Sequence, residues 1–213
     1  MGLMRERLRL YLVTDPRLCA EIGVAETAAA AVRGGVGCVQ LRDKSADTAA
    51  RIELARALKA ALAGSGVPVI VNDDVEAALA AEVDGVHVGQ EDDAPEQARA
   101  RLGADRIVGL SCETAAQVRA ADPALVDYLG LGTVFPTATK SDHKPAIGLD
   151  GLAALCALSD LPKVAIGGLD ATHRDAVFAA GADGLAVVSA ICGRPDPEAA
   201  ARRFFAPEPG AAP

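Results

Sequence analysis

RGGVGCVQLRDK, residues 33–44, packs three signals into a short span. Gly34 and Gly35 follow an alanine-rich stretch, an apolar run of strand length comes next, and then Arg42, Asp43 and Lys44 appear together. Small residues and glycine at the end of a helix suit a left-handed C-cap. The same junction recurs as AEVDGVHVG (81–89) and AGADGLAVV (180–188). A junction met three times predicts a repeated helix-to-strand unit rather than an irregular chain.

Working outward, eight β-like runs stand out: LRLYLVT (8–14), GCVQL (37–41), PVIVN (68–72), GVHVG (85–89), RIVGLS (106–111), DYLGLG (127–132), PKVAIGG (162–168) and GLAVVS (184–189). They recur about every 25 residues, with alanine-rich stretches of helical periodicity between them. Most are continuously apolar instead of alternating, so both faces are buried, as in a parallel sheet covered by helices. Eight strands alternating with eight helices predict an α/β protein with a single (β/α)8 TIM barrel over residues 1–205 and a disordered tail over 206–213. The competing architecture, a doubly wound open sheet, calls for a glycine-rich dinucleotide turn after the first strand, and LYLVTDPRL has none.

Composition narrows the function. The chain has 213 residues, 51% of them apolar, enough for a substantial core. Its 21 basic and 29 acidic residues leave a net charge of −8, so nucleic acid and anionic membrane are unfavourable partners and any bound anion needs a local cluster of cations. The opening MGLMRERLRLYLVTD lacks the apolar core of a signal peptide and reads as strand-forming. The five cysteines are scattered, apolar in context and without metal-ligand spacing, which predicts reduced core thiols in a cytoplasmic protein.

In a TIM barrel the residues just past the strand C-termini surround one mouth, where active sites lie. Those positions are polar almost throughout, whereas the opposite ends read mainly as Gly, Pro and small residues. In QLRDK, Gln40, Arg42 and Lys44 alternate and project the same way if extended, two cations and an amide suited to a phosphate-bearing ligand; Asp43 faces away, where it can balance Lys44. VNDD and GQEDD each pair two aspartates before a helix. Asp74 and Asp93 can cap those helices, leaving Asp73 and Asp92 for Mg²⁺, which takes one or two carboxylates plus substrate oxygens. Asn72 suits ligand orientation. The sixth strand exit, TVFPTATKSDHK (133–144), offers Thr137, Thr139 and Lys140 to an anion. Gly167, Gly168 and Ser189 close the seventh and eighth exits, where barrels often bind phosphate through backbone N–H groups at a helix N-terminus. Two anion sites in one mouth imply two phosphorylated substrates. His87 reads as a satisfied core residue; no catalytic triad or zinc set is visible among the three histidines.

The motifs YLVTD, VQLRDK, VNDD, GVHVGQEDD, GLSCET, YLGLGTVFPTATK, AIGGL and VVSAI, in this order across about residues 10–205, resemble the thiamine phosphate synthase family. The resemblance implies a transferase of thiamine biosynthesis, cytoplasmic and homodimeric, that joins hydroxymethylpyrimidine pyrophosphate to hydroxyethylthiazole phosphate, or its carboxylated form, giving thiamine phosphate and pyrophosphate. It implies that Gln40, Arg42 and Lys44 hold the pyrimidine pyrophosphate and Asn72 the pyrimidine, and that Asp73 and Asp92 bind Mg²⁺. It places Ser111 beside the reacting centre, Thr137 and Thr139 on the thiazole phosphate, Lys140 on the pyrophosphate, and Gly168, Val188 and Ser189 around the thiazole phosphate. The implied mechanism is dissociative: the methylene–oxygen bond ionises and the thiazole nitrogen captures the carbocation, so no covalent nucleophile is needed. Arg42, Lys44, Ser111 and Lys140 are then the catalytic set. The rival readings are a thiazole tautomerase, which needs one phosphate site and an acid–base residue, and a non-catalytic thiamine phosphate-binding regulator.

Overall fold

A computed structural model describes residues 2–90, 94–137 and 146–206. The strands are β1 Leu10–Val13, β2 Cys38–Leu41, β3 Val69–Asn72, β4 Gly85–Val88, β5 Ile107–Cys112, β6 Tyr128–Gly132, β7 Lys163–Ile166 and β8 Gly184–Val187. All neighbours pair in parallel, and β8 returns to β1 with Leu10 opposite Leu185, closing the barrel. The helices are α1 Gly2–Leu8, α2 Val24–Arg33, α3 Thr48–Ala61, α4 Val75–Ala80, α5 Pro95–Leu102, α6 Ala115–Ala120, α7 Gly148–Cys156, α8 Arg174–Ala179 and α9 Pro197–Arg202. No helix among the described residues is long and apolar enough to cross a membrane.

The three repeated junctions share one geometry. After α2, α4 and α8 the chain takes a left-handed residue, Gly35 (φ 109°), Glu82 (φ 53°) and Gly181 (φ 91°) respectively. The next amide then reaches back five residues: Val36 N to Ala31 O, Val83 N to Ala78 O, and Ala182 N to Val177 O. These are Schellman caps, and the residues they join are buried apolar pairs in each case. Glycine serves the left-handed position twice; Glu82 shows that the cap tolerates a side chain there.

Three aspartates just ahead of β4, β6 and β8 have a duty that the sequence does not reveal. Asp84, Asp127 and Asp183 each accept from the amide of the residue that opens the preceding strand or lies next to its start: Val69 N at 2.8 Å, Val108 N at 2.7 Å and Lys163 N at 2.8 Å. Their own amides donate to the carbonyls of the same three residues. Each aspartate thus clamps β3, β5 or β7 to its neighbour at the N-terminal end of the barrel. Arg99 pairs with Asp127 at 2.7 Å and Arg5 with Asp183 at 2.5 Å. The N-terminal end is therefore charged, and not made only of the Gly, Pro and small residues expected there.

The expected first strand also needs correction. Residues 2–8 form α1, not strand, and lie against the N-terminal ends of β1, β7 and β8. Met4 and Leu8, four residues apart on one helical face, close the bottom of the barrel, with Leu8 fully buried beside Tyr11, Ile70, Tyr128 and Val164. Outside the strands a larger apolar layer, including Leu12, Leu41, Val71, Val86, Leu129 and Leu131, packs under the helices. Both faces of the sheet are buried, as the continuous apolar runs require.

Asp74 caps α4 as expected, accepting from Ala77 N at 2.8 Å; it also accepts from Thr48 Oγ1 at 2.9 Å and pairs with Arg51 at 3.0 Å. Burial alone would raise its carboxyl, but these bonds together hold it below the ordinary value of 3.8. The group therefore stabilises the fold above the unfolded carboxylate pKa of about 4, and the contribution fades as pH falls through the lower folded value. Asp74→Ala is expected to cost about 2 kcal/mol at neutral pH, read by urea unfolding, with the difference from wild type shrinking below about pH 4. At α5 the N-cap position is Ala94. Asp93 itself lies outside the described residues.

Candidate active site

The parallel register carries the strand C-termini to one mouth, where a cavity of about 890 Å³ opens. Its walls include Gln40, Arg42, Lys44, Asn72, Asp73 and Ser111 on one side of the chain order and Thr137, Gly168, Val188 and Ser189 on the other. Ten of the residues singled out from sequence thus share one cavity. Asp92, Thr139 and Lys140 lie outside the described residues, as does all of 138–145.

At the β2 exit Gln40 is buried inside the barrel, and Arg42 and Lys44 rise beyond it toward the mouth. The Arg42 backbone donates to the buried Thr14 hydroxyl at 3.1 Å, which fixes the strand exit against β1. Asp43 does not balance Lys44. Its carboxylate accepts from Ser45 N, Ser45 Oγ and Ala46 N, forming a turn, and those bonds hold the carboxyl low despite burial. Lys44 reaches across instead to Asp73, Nζ to Oδ2 at 2.8 Å.

Asp73 takes a left-handed backbone, φ 63°, unusual for a residue with a side chain. Its amide donates to His87 O at 2.8 Å, and Asn72 Nδ2 donates to its Oδ1 at 2.7 Å. A cation and an amide thus hold this carboxylate at the β3 exit, on the cavity that Arg42 also lines. No group of three or more His, Cys, Asp or Glu among the described residues forms a self-contained metal site.

The β6 and β7 exits are laced together. Val134 N donates to Ile166 O at 2.9 Å and Phe135 N to Gly167 O at 3.0 Å, while Ile147 N returns to Thr133 O at 2.9 Å. Gly167 (φ 104°) and Gly168 (φ 64°) both need the left-handed region. At the β8 exit Val188 O accepts from Ile191 N and Cys192 N, making a single turn in place of the expected helix N-terminus. Ser189 opens that turn toward the cavity, and Arg194 Nε donates to Ser189 O at 3.0 Å.

Two further arginines, Arg17 and Arg194, line the mouth and were not singled out from sequence. Arg17 follows β1 closely enough for the strand-exit rule to have found it. His87 is buried, as expected for a core residue, but it also borders the cavity and bonds to Ser111. All five cysteines are buried.

Polar and cationic side chains at a barrel's C-terminal mouth, opposite a glycine-lined backbone at the β7 and β8 exits, define a TIM-barrel enzyme acting on phosphorylated small molecules. The family model for thiamine monophosphate synthase matches residues 10–191. A thiamine-phosphate synthase of Xanthobacter autotrophicus is 55% identical over 199 residues, 93% of this chain and 94% of that protein. Another from a Psychrobacter species is 49% identical, covering 94% and 95%. Among solved structures, a thiamine phosphate pyrophosphorylase from Pyrococcus furiosus superposes with a TM-score of 0.84 at 34% identity, covering 95% of this chain and 96% of that one. The chain belongs to the thiamine monophosphate synthase family, and it is a transferase of that type.

Proposed function

We propose that the chain joins hydroxymethylpyrimidine pyrophosphate to hydroxyethylthiazole phosphate, forming thiamine phosphate and releasing pyrophosphate. The observation that carries this reading is the pairing, around one cavity, of a charged wall at the β2 and β3 exits with a glycine-and-hydroxyl wall at the β7 and β8 exits. The first suits a diphosphate, because Arg42 can present a bidentate fork and Lys44 a point charge. The second suits a monophosphate, because Gly168 lets the backbone approach closely and Ser189 adds a hydroxyl.

Asp73 fits a Mg²⁺ role: it is a carboxylate at the mouth, beside the diphosphate cations, and Mg²⁺ needs only one or two such groups when substrate oxygens and water complete its shell. Asp92 is the second carboxylate that the family resemblance assigns. When bound, the ion supplies charge neutralisation for the departing pyrophosphate. Lys44, held on Asp73 before substrate arrives, exchanges that carboxylate for a phosphate oxygen without ever being unpaired. Arg42 and Lys44 then stabilise the leaving group while the β7–β8 wall holds the thiazole in line, so orientation and charge replace a covalent nucleophile. Thr137, Thr139 and Lys140, on the intervening loop, complete the bridge between the two walls in this reading, and Ser111 faces the reacting carbon from β5.

The test is product formation. Thiamine phosphate, read as thiochrome fluorescence after oxidation, is expected only when both substrates and Mg²⁺ are present. Isomerisation of a thiazole carboxylate phosphate with no coupled product would favour the tautomerase, and binding of thiamine phosphate with no turnover would favour the regulator; either overturns this reading.

A further inference from the structure

A continuous line of hydrogen bonds crosses the barrel floor from β2 to β5. Gln40 Nε2 donates to Tyr11 Oη at 2.8 Å; Tyr11 Oη and Tyr128 Oη are 2.8 Å apart; Tyr128 Oη meets His87 Nδ1 at 2.8 Å; and His87 Nε2 meets Ser111 Oγ at 2.9 Å. Both tyrosines, Gln40 and His87 are buried. The two rings meet edge to face at 5.9 Å, and the His87 ring lies 5.4 Å from Tyr128, so the groups are held in place by packing as well as by bonding. The two ends, Gln40 and Ser111, both border the cavity.

We propose that Tyr11, Tyr128 and His87 form a directional relay that fixes Gln40 as an acceptor and Ser111 as a donor toward the mouth, making these three relay residues positioning residues for the pyrimidine half of the reaction. The substrate assignment rests on the function proposed above; the relay itself does not. The argument is one of proton counting. Burial, above all, raises both phenols well beyond the ordinary 10.0, so each carries its single proton. Gln40 Nε2 can only donate, so Tyr11 receives there and sends its proton to Tyr128. Cys38 also lies near Tyr11, but sulfur is a weak acceptor and a phenol oxygen wins. Tyr128 then donates to His87 Nδ1, which must be bare, and His87 carries its proton on Nε2. Ser111 accepts that proton's hydrogen bond and turns its own hydroxyl proton outward. Gln40, with one amide N–H committed to Tyr11, is held in a fixed orientation that leaves its carbonyl oxygen as the acceptor for the ligand.

Reversing any one bond would place two lone pairs, or two protons, face to face at 2.8 Å in a buried site, which costs more than the bond is worth. The relay therefore has two collective states, and the Gln40 amide selects between them. Gln40→Glu removes the donor that sets the direction. An ionised carboxylate there accepts from the Tyr11 hydroxyl, Tyr128 must donate to Tyr11, and His87 must move its proton to Nδ1, three hydrogen bonds from the substitution.

Two-bond ¹H–¹⁵N correlation of histidine-labelled protein reads that tautomer directly, with His87 assigned by substituting His143 and His173. Wild-type protein is expected to show His87 protonated on Nε2, and Gln40→Glu, at a pH where the ¹³C shift of the new carboxyl reports it ionised, to show it on Nδ1. Adding Tyr11→Phe to Gln40→Glu is expected to restore the Nε2 form, because the wire is cut. In kinetics, Tyr11→Phe alone is expected to raise KM for the pyrimidine pyrophosphate roughly three- to tenfold and leave that for thiazole phosphate unchanged. Wild-type His87 protonated on Nδ1 would overturn the relay, as would an unmoved tautomer in Gln40→Glu with its carboxyl ionised. The spectra need no substrate, so failure of the relay and failure of the proposed function are separately visible.

Discussion

Asp73→Asn is expected to lower kcat/KM by roughly 10²- to 10³-fold while leaving the fold essentially intact. The position is backbone-constrained at φ 63°, and asparagine is among the few side chains that adopt that region readily. Its carbonyl oxygen can still accept from Asn72 Nδ2, and the backbone bond to His87 O is untouched. What disappears is the negative charge. The Lys44–Asp73 pair is open enough to solvent, at 54% and 22% side-chain exposure, to be worth at most about 1 kcal/mol of stability. In the proposed role, a carboxylate that holds Mg²⁺ against a departing diphosphate would be worth far more in the transition state. Steady-state kinetics alongside a thermal melt separate the two costs. Near-wild-type turnover would remove Asp73 from the chemistry.

Gly168→Ala should act through the backbone rather than through charge. A Cβ at this position would stand 2.7 Å from Pro136 O and 2.8 Å from both Phe135 Cβ and Phe135 O. Two of those neighbours are main-chain atoms of the β6 exit, so nothing can rotate away; the loop itself must move, and φ 64° adds its own penalty. Strain of about 1–3 kcal/mol at a ligand-binding backbone corresponds to roughly a ten- to hundredfold loss of affinity. The loss is expected in KM for thiazole phosphate, with KM for pyrimidine pyrophosphate little changed. Equal loss for both substrates would mean that Gly168 supports the barrel and not one subsite.

The barrel was legible because its signal is repeated. Three matching junctions and eight apolar runs fix the strand count, and the strand-exit rule then gathers Gln40, Arg42, Asn72, Asp73, Ser111 and Ser189 into one mouth with no knowledge of geometry. Features that depend on register were not legible. Asp84, Asp127 and Asp183 show no role in the sequence, because the amides they clamp belong to strands 15 to 20 residues earlier. Tyr11 and Tyr128 look like ordinary core aromatics; only the closed sheet brings their hydroxyls within 2.8 Å across 117 residues of chain. His87 was rightly placed in the core, yet its neighbours make it more than filler. Helix α1 was missed because its seven residues carry only one turn-to-turn apolar pair, Met4 and Leu8, which strand alternation matches equally well. Asp43 was given to Lys44 on proximity in sequence, whereas the turn at Ser45 and Ala46 offered it better donors.

The central claim is that one mouth holds a diphosphate and a monophosphate ligand at the same time, at separate walls. Isothermal titration of thiazole phosphate into protein already saturated with Mg²⁺ and pyrophosphate tests it most directly, since this pair cannot react. The account predicts one thiazole phosphate bound per chain, with affinity equal to or greater than that for protein without pyrophosphate. Mutually exclusive binding, with the thiazole phosphate heat abolished by saturating pyrophosphate, would contradict it.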